Sequence, residues 1–184
     1  HMEAVGYDLY CKMLNEAVLE AKGIRQESED FETVVDINTD AFIPNSYISN
    51  EFQKLDIYKR IAGIETDEEY EEMIDELMDR FGEPPRSVQN LLAIANIKAA
   101  AHKAYLREIK QRGNEFQLTV YEKPGLDTEQ IPEFVKSFGG CVQLRVAGKN
   151  PYFLYKMENT DNMLKQLKEF AVKLAQLCEK DYNN

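Results

Sequence analysis

The chain has 184 residues, with 33 Asp and Glu against 22 Lys and Arg and a net charge of −11. Its length suits one domain, or one domain with an appendage, and its 43% hydrophobic share supplies an ordinary globular core. The charge argues against a general nucleic-acid binder, which needs a basic footprint to displace counterions from phosphates, and against an anionic membrane surface.

His1-Met2 reads as an expression-tag remnant and is set aside. Residues 3–22 read as a helix, with Tyr10, Met13, Leu14, Ala17, Val18 and Ala21 at helical spacing and Gly23 as its stop. Residues 24–31 are charged and unpatterned, and read as a linker. The β-branched run at 32–37 predicts a strand. Residues 41–49, AFIPNSYIS, predict an extended connection, because Pro44 disfavours helix at Ile43.

A helix is expected over 49–62, capped by Ser49 or Asn50, with Phe52, Leu55, Tyr58, Ile61 and Ala62 on its apolar face. The next starts at Thr66, where Thr66 and Glu69 make a T-x-x-E capping box. Its apolar side is Tyr70, Met73, Ile74, Leu77, Met78 and Phe81. Gly82 and then Pro84-Pro85 end it. Pro85 suits the first position of a further helix to about Tyr105, lined by Val88, Leu91, Leu92, Ala95 and Ala99.

The pattern then changes. Residues 107–111 and 115–122 read as strands around a turn at Arg112-Gly113-Asn114. A short helix over 127–138 would turn Ile131, Val135 and Phe138 inward, before Gly139-Gly140 breaks it. Residues 141–146 and 152–156 form a second strand pair, with YFLY at 152–155 alternating between faces. A last helix over 160–180 buries Leu164, Leu167, Phe170, Ala171, Leu174 and Leu177. The expected fold is α+β: a helical N-terminal half followed by a small antiparallel sheet with packed helices and a long C-terminal helix.

Catalytic signatures are missing. There is no phosphate-cradling G-x-x-x-x-G-K-[ST], no G-x-G-x-x-G and no G-x-S-x-G. Cys11, Cys141 and Cys178 are widely spaced and His102 has no cysteine near it, so no metal set or cofactor is expected. Three free thiols and no apolar run of membrane-spanning length suit a reducing, cytoplasmic setting.

The carboxylates are the chain's most informative feature. At about 100° per residue, Glu72, Asp75, Glu76 and Asp79 cluster opposite Tyr70, Ile74, Leu77 and Phe81. No Lys or Arg lies between Glu65 and Asp79 to compensate them, and Asp79 sits near the negative end of the helix dipole. Three readings stay open: a solvated polar face, a docking stripe for a basic partner, and a catalytic acid/base pair. A catalytic pair would want partial burial to separate two pKa values, which the polar side of an amphipathic helix does not offer.

Several stretches together resemble the C-terminal domain of bacterial transcription-repair-coupling factors (the Mfd family). They are GYDLY at 6–10, EAV at 16–18, IP at 43–44, YI at 47–48, LDIYKRIAG at 55–63, the capped acidic helix leading to ELMDRFGEPP at 76–85, and VQNLL at 88–92. The resemblance covers most of 3–105. It implies a parent that is an ATP-driven DNA translocase, displaces stalled RNA polymerase and recruits the excision-repair protein UvrA. It implies that residues 1–31 hold the tag remnant, a connecting helix from the motor and a linker, and that 32–184 form a non-catalytic regulatory domain. That domain would dock on the parent's UvrB-like N-terminal module, masking the UvrA-binding surface and restraining the motor. By position, Glu76 and Asp79 would face arginines of that module, with Glu72 and Asp75 beside them, and no direct nucleic acid or membrane contact is expected. A platform for another repair or transcription protein is the alternative, and a carboxylate-dependent hydrolase that binds a divalent metal is a more distant one.

Overall fold

The computed structural model describes residues 31–121, 129–146, 148 and 150–182. The expected helix at 3–22 lies outside these residues. The chain divides into two compact units, one containing Thr39–Ala99, the other Phe31–Asn38 together with the residues from Ala100 onward. Among the described residues the elements follow in the order β1 (Val34–Asp36), α1 (Glu51–Ala62), α2 (Asp67–Phe81), α3 (Arg86–Lys103), β2 (Leu106–Arg112), β3 (Glu115–Val120), α4 (Ile131–Lys136), β4 (Val142–Arg145), β5 (Tyr152–Lys156) and α5 (Met163–Tyr182).

The first unit is helical. Asn50 caps α1 by accepting from the Gln53 N–H at 3.0 Å. Thr66 caps α2 by accepting from the Glu69 N–H at 3.1 Å. Glu69 reaches back as a capping box requires, but to the N–H of Glu65 (3.0 Å), one residue outside the usual target. Gly82 ends α2 at φ 86 and ψ −169, a conformation essentially reserved for glycine. The Pro85 carbonyl accepts from the Gln89 N–H at 3.0 Å and so opens α3.

The core of this unit joins Ile57 and Ile61 of α1, Met73 and Leu77 of α2, and Val88, Leu91, Leu92 and Ala95 of α3 with Ile43, Ile48 and Ile64. The face expected for α1 needs correction. Phe52 is 86% exposed, while Ile57, absent from the expected set, is fully buried. Phe52 and Ile61 lie about 180° apart on the helix, so they cannot share a face. Of the expected set, Ile61 is buried and Tyr58 packs against the core, and the buried side follows the Ile57, Ile61, Ile64 spacing. On α2, Met78 likewise stands largely exposed at the edge of the expected apolar side.

The segment 41–49 is not simply extended. It turns at Asn45–Tyr47, where the N–H groups of Tyr47 and Ile48 both donate to the Pro44 carbonyl. Two tyrosines hold this turn to the helices. The Ile43 N–H donates to the Tyr58 hydroxyl oxygen at 2.8 Å. The Tyr47 hydroxyl lies 2.8 Å from the Gly82 carbonyl and 3.3 Å from that of Leu77.

The second unit carries a five-stranded sheet in the order β1-β2-β3-β5-β4. The β2–β3 and β5–β4 pairs are antiparallel, as expected, and β3 also pairs with β5 antiparallel. β1 joins β2 in parallel, with Val35 opposite Ile109, so the sheet is mixed. Thr33, only 2% exposed, donates its hydroxyl to the Leu106 carbonyl at 2.7 Å and fixes this pairing. Phe31 stacks between His102 and Tyr121, with ring centroids 4.5 and 4.4 Å away. One sheet face packs through Phe116, Leu118 and Phe153. Phe153, Phe134 of α4 and Phe170 of α5 meet edge to face, with centroids 5.1–5.8 Å apart. On α4 the most buried residue is Phe134, not the expected trio of Ile131, Val135 and Phe138, which are each half-buried.

Candidate functional site

The acidic stripe follows from the way α2 is started and buried. Thr66 sets where the first turn begins, and Met73 and Leu77 fix which side faces the core. Glu72, Asp75 and Asp79 are consequently exposed, and Glu76 is half-buried at the base of the same face. The charge is local to this unit. Residues 39–99 carry thirteen Asp and Glu against six Lys and Arg, a net of −7. Phe31–Asn38 and the residues from Ala100 onward carry thirteen of each sign, a net of zero.

Four carboxylates share the face, but they are not equivalent. Arg60, near the end of α1, grips Glu76 as a fork: Nη2 donates to Oε1 at 2.6 Å, and Nη1 donates to Oε2. Arg80, one turn after Glu76 on α2, adds a bond from Nη1 to Oε2 at 2.9 Å. Asp56 lies 4.0 Å from Arg60 Nη1. The two guanidinium groups, Arg60 first, hold the Glu76 carboxyl far below its ordinary 4.5, at about 2. Arg60 is correspondingly held further in its charged form, chiefly by its hydrogen bonds to Glu76. Glu72, Asp75 and Asp79 make no ion pair among the described residues.

This corrects one premise of the sequence reading. Within α2 the stripe is uncompensated up to Arg80, but Arg60 arrives from the preceding helix and neutralises Glu76. The signal was present in Tyr58-Lys59-Arg60, a basic pair in the last turn of α1, but its target sixteen residues on was not visible. The half-buried Glu76 is therefore a junction between helices, whereas Asp79, Asp75 and Glu72 are the free charges of the stripe.

No three His, Cys, Asp or Glu side chains converge as a metal-binding group among the described residues. Cys141 is exposed, and Cys178 is buried with its thiol donating to the Leu174 carbonyl at 3.6 Å. No helix among the described residues is long and apolar enough to cross a membrane.

Comparison with known proteins agrees with this architecture. The TRCF domain family matches residues 37–131. The transcription-repair-coupling factor of Bacillus subtilis is 38% identical over 150 residues, which cover 80% of this chain and 13% of that protein. The homologous factor of Staphylococcus haemolyticus is 40% identical over 131 residues, 71% of this chain and 11% of that protein. A crystal structure of the C-terminal domain of transcription-repair coupling factor superposes with a TM-score of 0.70 at 25% identity, covering 81% of this chain and 96% of that one. The fold is thus that of a C-terminal domain of the transcription-repair-coupling class. The chain belongs to the TRCF domain family. It spans little more than a tenth of the length of the curated relatives it matches.

Proposed function

We propose that the chain is the non-catalytic C-terminal regulatory domain, over residues 32–184, of a cytoplasmic transcription-repair-coupling factor. The parent is an ATP-dependent DNA translocase that displaces stalled RNA polymerase and recruits nucleotide excision repair. The domain docks through the acidic face of α2 on the UvrB-like N-terminal module of the same protein. Docking masks the UvrA-binding surface and restrains the motor.

The observation that carries this reading is the concentration of charge in residues 39–99 of a TRCF-family chain, with Asp79, Asp75 and Glu72 exposed and unpaired along one helix face. Exposed carboxylates beyond any internal need favour a cationic partner. Each exposed ion pair is worth only about 0–1 kcal/mol, so a contact made of a few releases readily, as a switch requires.

The test is binding of the chain to the UvrB-like module before and after Glu76→Lys with Asp79→Lys. Loss of binding, with the circular-dichroism spectrum retained, is expected. Because Glu76→Lys also sets a third cation beside Arg60 and Arg80, Asp79→Lys with Asp75→Lys serves as a second pair. Unchanged binding of both folded pairs would remove the stripe from the mechanism.

A further inference from the structure

Resting on the docking reading above, we infer that Arg60 is a competitor built into the docking face. In the free domain its guanidinium holds the Glu76 carboxylate that an arginine-bearing partner would take. First contact therefore falls to Asp79, Asp75 and Glu72, and Glu76 takes a partner's arginine as a fork only by giving up one it already holds, Arg60 being the one that occupies both of its oxygens.

The geometry of Glu76 carries the inference. A carboxylate offers about four lone-pair positions and takes an arginine as a fork using both oxygens. Here Oε1 accepts one bond from Arg60, and Oε2 accepts one from Arg60 and one from Arg80. No second fork fits while Arg60 and Arg80 both stay, and Arg60 is the one whose release frees a position on each oxygen. A partner that approaches Glu76 in its present state also meets two cations, not a carboxylate.

Arg60 has somewhere to go. Asp56 lies one turn earlier on the same helix, 4.0 Å from Nη1, and can take the released guanidinium. Arg60 is 40% exposed and Glu76 31%, so the pair is partly wet and its rupture is cheap. Exchange conserves the number of ion pairs on each side. The net strength of docking at this position is then set by the difference between two arginines competing for one carboxylate. That arrangement keeps Glu76 from binding cations indiscriminately, since a lone lysine supplies a point charge but no fork to displace Arg60.

The test uses the whole chain and the UvrB-like module, with affinities measured by calorimetry at about 0.15 M salt, where the screening length is roughly 8 Å. Arg60→Lys keeps the charge and removes the fork; Arg60→Met removes both. Lys59→Met removes a neighbouring exposed charge and leaves Glu76 gripped. Arg60→Lys is expected to tighten binding about two- to fivefold and Arg60→Met at least as much, the range of one exposed ion pair. Lys59→Met should change it less than about twofold. Tightening by Arg60→Lys cannot come from long-range charge, because none is lost.

The outcomes separate the two ideas. If Asp79→Asn weakens binding but neither Arg60 variant tightens it, or Lys59→Met matches Arg60→Met, the exchange is wrong and docking by the stripe stands. If the chain does not bind the module, or Asp79→Asn with Asp75→Asn leaves binding unchanged, both fall together. Circular dichroism and urea unfolding of the Arg60 variants identify any that are misfolded, and Arg60→Lys, which keeps the charge and the aliphatic stem, then decides.

Discussion

Arg60 and Glu76, sixteen residues apart in sequence, meet as a two-pronged ion pair that bolts α1 to α2. Arg80 closes the same carboxylate from within α2. The most prominent acid of the stripe is thereby a structural fastener as well as a candidate contact, and its chemistry can be tested apart from any partner.

Stability should report this fastener at low pH. The folded-state pKa of Glu76 is depressed from 4.5 to about 2. A carboxylate with a depressed folded pKa contributes stability above its unfolded pKa and loses it as pH falls through the folded value. The contribution is therefore complete above about 4.5 and fades between there and about 2. Urea unfolding against pH should show Glu76→Gln less stable than the native chain near neutrality, by up to about 1 kcal/mol for so exposed a pair. The two curves should converge toward pH 2.

Gly82 gives a backbone test. Its φ of 86 and ψ of −169 lie where an L side chain is strained, while a Cβ there would meet nothing within 4 Å. Gly82→Ala should cost about 1–3 kcal/mol by conformation alone. Denaturant unfolding that shows no loss would mean the turn relaxes freely.

The turn at 44–48 is held by a side chain. Tyr58→Phe removes the acceptor for the N–H of Ile43, a residue only 1% exposed. Leaving a buried donor without a partner costs about 1–3 kcal/mol. Amide exchange at Ile43 should also accelerate, and an unchanged rate would mean that the hydroxyl does not protect it.

The face of α1 can be checked by contrast. Ile57 is fully buried, so Ile57→Ala should destabilise by about 2–5 kcal/mol. Phe52 is 86% exposed, so Phe52→Ser should fall within about 0.5 kcal/mol of native. Equal effects on the unfolding midpoint would reverse the assignment of the buried face.

Charge and salt distinguish a stripe that docks from one that is merely solvated. With Glu72, Asp75 and Asp79 changed together to Asn and Gln counterparts, thermal stability should rise slightly or stay level, because like charges on one helix repel by a few tenths of a kcal/mol per pair. Under the docking proposed above, affinity for a UvrB-like module should fall, and the slope of affinity against salt should flatten. A stability loss without an affinity loss would assign the stripe to folding.

Local signals made much of this molecule legible in advance. The capping pair Thr66 and Glu69, the stop at Gly82 and the Pro84-Pro85 break act within a turn or two of the residues that carry them, so α2 and its polar face could be placed from sequence. The hairpins around Gly113 and Gly148 follow from the same short-range turn chemistry. The face of α1 was harder, since Phe52, Leu55, Tyr58, Ile61 and Ala62 together also fit a helical period. Ile61 and Tyr58 of that set do meet the core, and only packing brought Ile57 in and left Phe52 out.

What sequence alone determined, then, is where α2 starts and stops, which of its sides carries acids, and the family signature at 55–92. What tertiary structure decided is which of those acids are free. Pairing of Arg60 with Glu76, the parallel entry of β1 beside β2, and the anchoring of Ile43 by Tyr58 each join residues distant in the chain. The energy of such contacts depends on the spatial approach of two groups, and spacing along one helix or strand carries no record of it.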